Sequence, residues 1–166
     1  MFAMALIMTS TQLNAQCELM CNPPAYVMGS TTGTAYPGCI RTIYYTYQIC
    51  GNQIDLVDFY VIVTPTGGPM APGCDDYIHA DIQKIIQYII TKTGTTATHM
   101  ILPASCATRV ITPFSIDGGV SYKHTSTPCS PGCCEYEIRT YLAFDFSTFF
   151  FGNENCPPGC TAMCAQ

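Results

Sequence analysis

The chain has little charge and no tryptophan. Charged residues make up 10% of its 166 residues, against about 25% in a typical soluble domain. The six basic residues stand singly, and the formal net charge is −5. A nucleic-acid interface needs clustered Lys and Arg to neutralise phosphates, so the composition argues against nucleic-acid binding. Disorder is not indicated either, because disordered chains combine low hydrophobicity with high net charge and 48% of this chain is apolar.

Long apolar runs are also missing. No stretch reaches the ~20 consecutive apolar residues of a membrane-spanning helix, so we expect no membrane span. A short apolar run, Phe2–Met8, is followed by polar residues and by the small residue Ala15, a pattern typical of a secretory signal peptide. We predict a signal peptide at residues 1–15 and a single cysteine-rich extracellular domain at residues 16–166. A retained, ordered N-terminal segment is the alternative, since no Lys or Arg precedes the apolar run.

Familiar catalytic motifs are absent. The sequence has no nucleophile elbow, zinc-protease motif, phosphate loop or dinucleotide fingerprint, and its histidines are His79, His99 and His124. His79 lies one helical turn after Asp75 and Asp76, a spacing that can supply two metal ligands from one helix face. A carboxylate that caps the helix beside a half-exposed histidine is the simpler interpretation.

Acid pairs and free thiols give equally little support for catalysis. Glu135 and Glu137 are candidates for the paired acids of glycoside hydrolysis, although both fit the solvent side of one strand. An even number of cysteines leaves no obvious thiol for a nucleophile. The sequence therefore favours a non-enzymatic protein without cofactor or metal, with a hydrolase or a metal-binding enzyme as an alternative.

Cysteine is what the chain has in abundance. Twelve cysteines in 166 residues indicate an oxidising compartment, so we expect a secreted protein in the extracellular space or at the cell surface. A zinc or iron–sulfur site is the alternative, because four cysteine pairs enclose three residues each and two such pairs could supply four thiolates. The disulfide candidates are all twelve, and spacing does not decide their pairing: Cys17, Cys21, Cys39, Cys50, Cys74, Cys106, Cys129, Cys133, Cys134, Cys156, Cys160 and Cys164.

Four of these cysteines directly follow a Pro-Gly pair, at Cys39, Cys74, Cys133 and Cys160. The intervals between them are not constant, which argues against a sequence repeat. Proline presets the first central position of a type II turn, and glycine accepts the positive φ of the second. We therefore predict a turn at each motif, after which the cysteine anchors the next element.

One amphipathic helix is predicted after Cys74. Asp75 or Asp76 can cap its start and Gly94 can take the left-handed position beyond its end. Isoleucine is not the best helix former, so burial of one face must hold this helix. The isoleucines at helical spacing are Ile78, Ile82, Ile85, Ile86, Ile89 and Ile90.

The remaining chain predicts β-structure between loop-like termini. Residues 17–38 and 152–166 show no periodicity and are rich in Pro, Gly and Cys. We predict an α+β fold, in which a single antiparallel sheet of about five or six strands carries one amphipathic helix and is stapled by disulfides. The predicted strands cover residues 39–50, 55–64, 99–102, 108–113, 119–123 and 134–146.

Three consecutive phenylalanines give the best functional clue. Phe149, Phe150 and Phe151 cannot all face one core from a strand, so we expect at least one at an interface; a bulge or turn that buries all three is the alternative. The leading hypothesis is a secreted structural or adhesive protein, a subunit of an extracellular assembly that associates with itself or with other extracellular proteins. A small monomeric ligand-binding module is the second hypothesis, and a hydrolase the third.

Overall fold

The computed structural model describes residues 21, 23–33, 37–68, 74, 78–102, 104, 106–129, 133–141, 145–151 and 156–164. Of residues 78, 79, 139–141 and 145–151 only the backbone is described. The predicted signal peptide and the predicted caps Asp75 and Asp76 therefore lie outside the described residues.

The described chain forms one helix and nine strands. The helix, α1, spans Ile78–Thr93 and confirms the predicted helix. The strands are β1 (Val27–Thr32), β2 (Cys39–Cys50), β3 (Gln53–Pro65), β4 (His99–Leu102), β5 (Cys106–Ile116), β6 (Gly119–Pro128), β7 (Cys134–Tyr141), β8 (Asp145–Phe151) and β9 (Thr161–Ala162).

All nine strands belong to one mostly antiparallel sheet, as the predicted fold class requires. The strand count exceeds the predicted five or six because the termini contribute β1 and the two-residue β9. The predicted strand at 134–146 is also two strands, β7 and β8, which pair as a hairpin. One pair, β3 with β4, is parallel, because α1 carries the chain back to the start of β3, and parallel neighbours need such a crossover.

The sheet divides in two at β3. One edge of β3 pairs with β2 along its length. On the other edge, Gln53–Asp55 pair with β4 and Tyr60–Val63 pair with β6. One arm therefore continues through β4, β7 and β8, and the other through β6, β5 and β9. Near the fork β3 has one extra residue, Val57, since Thr46 pairs with Asp58 and Tyr47 with Leu56; such a bulge bends and twists a strand.

The core lies between α1 and the inward face of this sheet. Four helix isoleucines are completely buried, Ile82, Ile85, Ile86 and Ile89, as the helical spacing predicted. Full burial of each such side chain stabilises the fold by about 1.5–3 kcal/mol, so packing compensates for the modest helix propensity of isoleucine. Gly94 ends the helix at φ +66, and its N–H donates to the Ile90 carbonyl at 2.9 Å, which confirms the predicted C-terminal position.

A buried ion pair joins the helix to the sheet. Arg41 of β2 bonds Asp81 of α1, and both side chains are almost fully buried. Arg41 also donates to the carbonyl of Cys74, whose disulfide to Cys39 starts β2. Burial raises the pKa of Asp81, and the Arg41 guanidinium opposes that shift. Gly33 covers the pair, because a Cβ there would lie 3.0 Å from Arg41 Cβ and 3.1 Å from Asp81 Oδ1.

Disulfides attach both ends of the chain to the sheet, as the cysteine content predicted. Each closes a loop of about 30–50 residues, for which the chain-entropy model gives about 3.5–4 kcal/mol of stabilisation. Cys133 is disulfide-bonded as well. The five described pairs are Cys21–Cys50, Cys39–Cys74, Cys106–Cys156, Cys129–Cys160 and Cys134–Cys164.

Two of the four Pro-Gly-Cys turns lie within the described residues, and both are confirmed. Gly38 and Gly159 have φ values of 92 and 86, as the second central position of a type II turn requires. The Cys160 N–H closes the second turn on the Pro157 carbonyl at 3.0 Å. The Pro-Gly pairs before Cys74 and Cys133 lie outside the described residues.

Candidate interaction surface

Apart from the two-residue β9, which pairs with β5 alone, three strands have an edge that no other described strand covers: β1, β5 and β8. β1 pairs with β2 alone, β8 with β7 alone, and β5 with β6 along its length but with β9 only at Cys106 and Ala107. An open edge presents backbone N–H and C=O groups that another strand can pair with. These edges are the clearest candidates for intermolecular contact.

The β5 edge is defined by a tight turn. Asp117 and Gly118 both have positive φ, at 49 and 79, which makes the β5–β6 connection a type I′ turn. Ile116 and Gly119 pair across it. An Asp-Gly sequence is typical of this turn, and the turn fixes the register of the whole hairpin.

That register determines which β5 backbone groups point outward. In a two-residue hairpin the pair next to the turn is hydrogen-bonded, and hydrogen-bonded and non-hydrogen-bonded pairs then alternate. Arg109, Ile111, Pro113 and Ser115 therefore direct their backbone groups away from β6 and toward the open edge. Proline has no N–H, so Pro113 interrupts the row of outward donors at its middle.

The β5–β6 hairpin also extends beyond the core. Val110 and Ile111 are neighbours and so lie on opposite faces of β5, yet they are 46% and 41% exposed. Ile116 and Val120 near the turn are exposed too. This part of β5 is an apolar, β-branched edge that one proline protects.

The β8 edge is built differently. Its seven residues contain no proline, no lysine and one charge, at Asp145. The strand includes Phe149, Phe150 and Phe151 in unbroken register, so no bulge or turn lies within the triplet. We predicted that at least one of these phenylalanines is exposed, and that prediction concerns side chains outside the described residues.

Register nevertheless places the three phenylalanines relative to β7. Phe150 pairs with Tyr136, whose side chain is buried in the core. Phe149 and Phe151 occupy the register positions of Glu137 and Glu135, on the other side of β7. Sequence reasoning found the triplet but not this distinction, because no sequence signal marked where β7 ends and β8 begins.

The catalytic candidates whose side chains the structure describes do not assemble into a recognisable active site. His99 pairs with Gln53 on one side and Glu137 on the other, and its Nδ1 lies 2.9 Å from the Thr98 hydroxyl. Glu135 is exposed and Glu137 half-buried on the outer side of β7. The side chain of His79 lies outside the description.

His124 lies elsewhere, buried on β6 between Val61 of β3 and Ile111 of β5. A cavity of about 610 Å³ beside the β5–β6 turn is lined by Thr64, Ser121 and Tyr122 among others, and Asp117 is the one acid, with no histidine or cysteine, among its described lining residues. Neither location joins a histidine to a pair of carboxylates in the described structure.

The outward side of β2, β3 and β6 carries an ordered aromatic group. The rings of Tyr44 and Tyr60 stack with centroids 5.0 Å apart, and the Lys123 ammonium lies 4.2 Å from the Tyr60 centroid. The ring faces that make these contacts are therefore covered by neighbouring side chains of the same chain. The contacts stabilise the β2–β3–β6 junction and give the outer surface its tyrosine-rich character.

Potential metal ligands converge at one place in the described ranges. The ligand atoms of Cys21, Cys50 and Asp55 lie within 4.8 Å of one another. The two sulfurs are bonded to each other here, so neither is a thiolate, which is the form that binds metal.

No family model matches this chain, and no curated protein or solved structure is significantly similar to it. No helix within the described ranges is long and apolar enough to cross a membrane. The functional proposals below therefore depend on geometry and chemistry alone.

Proposed function

We propose that this protein is a secreted, disulfide-stabilised structural protein and that it pairs with a second copy of itself through β8. The observation that carries the proposal is the open outer edge of β8, which pairs only with β7 in the described structure. Strand addition to such an edge supplies backbone hydrogen bonds along its length. The disulfides are compatible with an extracellular location. That the protein is secreted is part of what we propose.

The composition of β8 supports a self-association role. Monomeric sheet proteins protect their edges with Pro, Lys or bulges, and β8 has neither Pro nor Lys. Phe149 and Phe151 occupy outward register positions, where aromatic residues are typical of interfaces. An unprotected aromatic edge on an otherwise heavily stapled fold is what a structural subunit needs for contact with its neighbour.

Pairing of β8 with β8 would be antiparallel about a two-fold axis. Such an interface uses the same patch on both copies and closes at the dimer, and it would join two sheets into one. A larger assembly needs a second contact, for which the open edges of β1 and β5 are the remaining candidates.

Adjacent proline variants test the proposal. Because backbone groups alternate between the two edges of a strand, one of Ser147→Pro and Thr148→Pro removes an outward N–H and the other removes an N–H that faces β7. We expect wild-type protein to dimerise at micromolar concentration in sedimentation analysis. One proline variant should be a folded monomer, and the other should have a lower melting temperature.

A monodisperse wild-type monomer at high concentration would overturn the proposal. So would two proline variants that both dimerise as the wild type does, because the contact would then lie outside β8. Val120→Lys on the exposed β6 position serves as a control, since it changes surface charge far from β8 and should leave the dimer intact.

The cavity beside the β5–β6 turn favours a second candidate function. Its volume of about 610 Å³ falls in the range of small-molecule sites, and its lining includes the Tyr122 hydroxyl and the hydroxyl pair of Thr64 and Ser121, which bond each other at 3.0 Å. A monomeric extracellular ligand-binding module would use this cavity. A shift in melting temperature with a polyol or sugar panel, absent in Ser121→Val, would favour it over the structural role.

A further inference from the structure

A completely buried carboxylate lies beside one of the disulfides. Asp55 of β3 is 0% exposed, and its carboxylate is within 4.8 Å of both sulfurs of Cys21–Cys50. Burial of a carboxylate is costly unless hydrogen bonds compensate. The position of this carboxylate beside a disulfide therefore suggests a chemical role.

Two glutamines hold the Asp55 carboxylate in position. Gln48 Nε2 donates to Oδ2 at 2.9 Å and Gln53 Nε2 donates to Oδ1 at 2.5 Å. The other end of the Gln48 amide accepts the Ala25 N–H at 3.3 Å. The segment after Cys21 is thus attached to this cluster by a contact that does not depend on the disulfide.

We propose that reduction of Cys21–Cys50 creates a binding site for Zn²⁺ or a similar soft divalent cation, with the two thiolates and the Asp55 carboxylate as ligands. A dithiol supplies two electrons and two protons to the disulfide and leaves as its own cyclic disulfide. When the cation binds, the two new thiols release two protons to solvent. Zinc sites of three protein ligands keep a fourth position for water.

The distances permit this change with side-chain rotation alone. Zinc bonds of ~2.3 Å to sulfur and ~2.0–2.2 Å to oxygen place tetrahedral ligand atoms about 3.3–3.8 Å apart. The three ligand atoms already lie within 4.8 Å of each other. Reduction lets the sulfurs separate from bonding distance to that spacing, and the hydrogen-bonded carboxylate supplies the pre-oriented ligand that metal sites use.

Electrostatics couples reduction to metal binding. Two thiolates beside a buried carboxylate repel one another, so Asp55 disfavours the metal-free dithiolate. A divalent cation reverses that effect, because it is then the largest local charge. The reduced pair therefore remains a protonated dithiol until the cation binds and displaces its two protons.

Cys129–Cys160 provides a matched control within the same chain. Both of its cysteines are half-buried, as Cys21 and Cys50 are. Both disulfides therefore lie outside the core. Cys21, Cys50 and Asp55 form the only cluster of three such ligands in the described part of the chain. A pair without a carboxylate should bind the cation more weakly.

The experiment uses a Cys129→Ser/Cys160→Ser variant of the full chain, with the Cys21–Cys50 pair intact. Limited dithiol treatment, removal of the dithiol under nitrogen and mass analysis of alkylated thiols identify the reduced pair. Titration with Cd²⁺, followed by thiolate charge-transfer absorption and native mass spectrometry, should show one ion per chain. The oxidised protein should bind none.

Asp55→Asn in the same background should lower Cd²⁺ affinity at least about tenfold. Equal affinity with and without Asp55, or equal binding by Cys129 and Cys160 in a Cys21→Ser/Cys50→Ser variant, would overturn the proposal. If Asp55→Asn does not fold, the ¹¹³Cd chemical shift of the reduced parent decides, because a purely sulfur-ligated ion is also incompatible with the proposal.

Discussion

The β5 and β8 edges are both open within the described structure, but they differ in how pairing is controlled. β5 exposes Val110 and Ile111, yet Pro113 removes an outward donor from the middle of its edge. β8 has an uninterrupted backbone edge and three phenylalanines. We therefore expect the two edges of this sheet to differ in their tendency to associate, and proline to account for most of the difference.

The largest expected effect separates the two sides of β8. We expect Phe150→Ser to lower the free energy of unfolding by about 3 kcal/mol, the typical cost of losing an aromatic residue from a core position, because its register partner Tyr136 lies in the core. Phe149→Ser should leave stability within about 1 kcal/mol and weaken dimerisation instead. Urea unfolding and sedimentation analysis measure the two effects.

Equal stability loss in both phenylalanine variants would show that the β7–β8 register does not separate the two faces. Phe151→Ser is the matched control, since it shares the outward register position of Phe149 and should behave as Phe149→Ser does.

A smaller effect is expected when the protection of β5 is removed. Pro113→Val restores the missing outward N–H without adding charge, so the β5 edge gains a continuous row of donors. We expect self-association to strengthen about tenfold, equivalent to ~1.4 kcal/mol, with species larger than the dimer in sedimentation analysis. Pro113→Val with no change in association would mean that the proline does not control this edge.

The turn that sets the β5 register should tolerate substitution less well than its exposure suggests. Gly118 has φ 79, and a Cβ there would meet no atom within 4 Å. Gly118→Ala should therefore lower the free energy of unfolding by about 1–2 kcal/mol through backbone strain alone. Thermal unfolding measures this loss of stability. Gly67→Ala is the control and should be nearly neutral, because Gly67 also has open space around an added Cβ but no positive φ.

The smallest effect is expected at the exposed β5 side chains. Ile111→Thr keeps a β-branched residue and removes apolar surface, so stability should change by no more than about 0.5 kcal/mol. Combined with Pro113→Val, it should reduce the additional association. A large loss of stability in Ile111→Thr alone would contradict this prediction, because it would mean that the Ile111 side chain is more tightly packed than its exposure indicates.

Sequence patterns predicted the elements that have a strong period or a strong stop signal. The isoleucine spacing and Gly94 located α1, and β2 and β4 have the predicted bounds. The pattern failed where structure depends on partners. β1 has no alternation of its own and pairs along β2, while the two-residue β9 lies between disulfide-bonded Cys160 and Cys164.

The fork and the candidate edges were harder to predict for the same reason. The extra residue Val57 stands between Leu56 and Asp58, where no Gly or Pro marks a bulge. Phe149–Phe151 stood out by composition, but their assignment to two sides required the β7–β8 register. The role of Pro113 as an edge protector could be inferred only from the register that the Asp117–Gly118 turn sets, because the register determines which backbone groups point outward.

The disulfides at the base of the β5–β6 hairpin have a consequence for proteolysis. Cys106 and Cys129 flank the hairpin and are bonded to Cys156 and Cys160. A protease cut at the exposed Asp117–Gly118 turn would therefore leave two polypeptides joined through Cys106–Cys156. Such a nicked molecule would migrate as one species on a non-reducing gel and separate into two only after reduction, so damage at this site would not release a fragment.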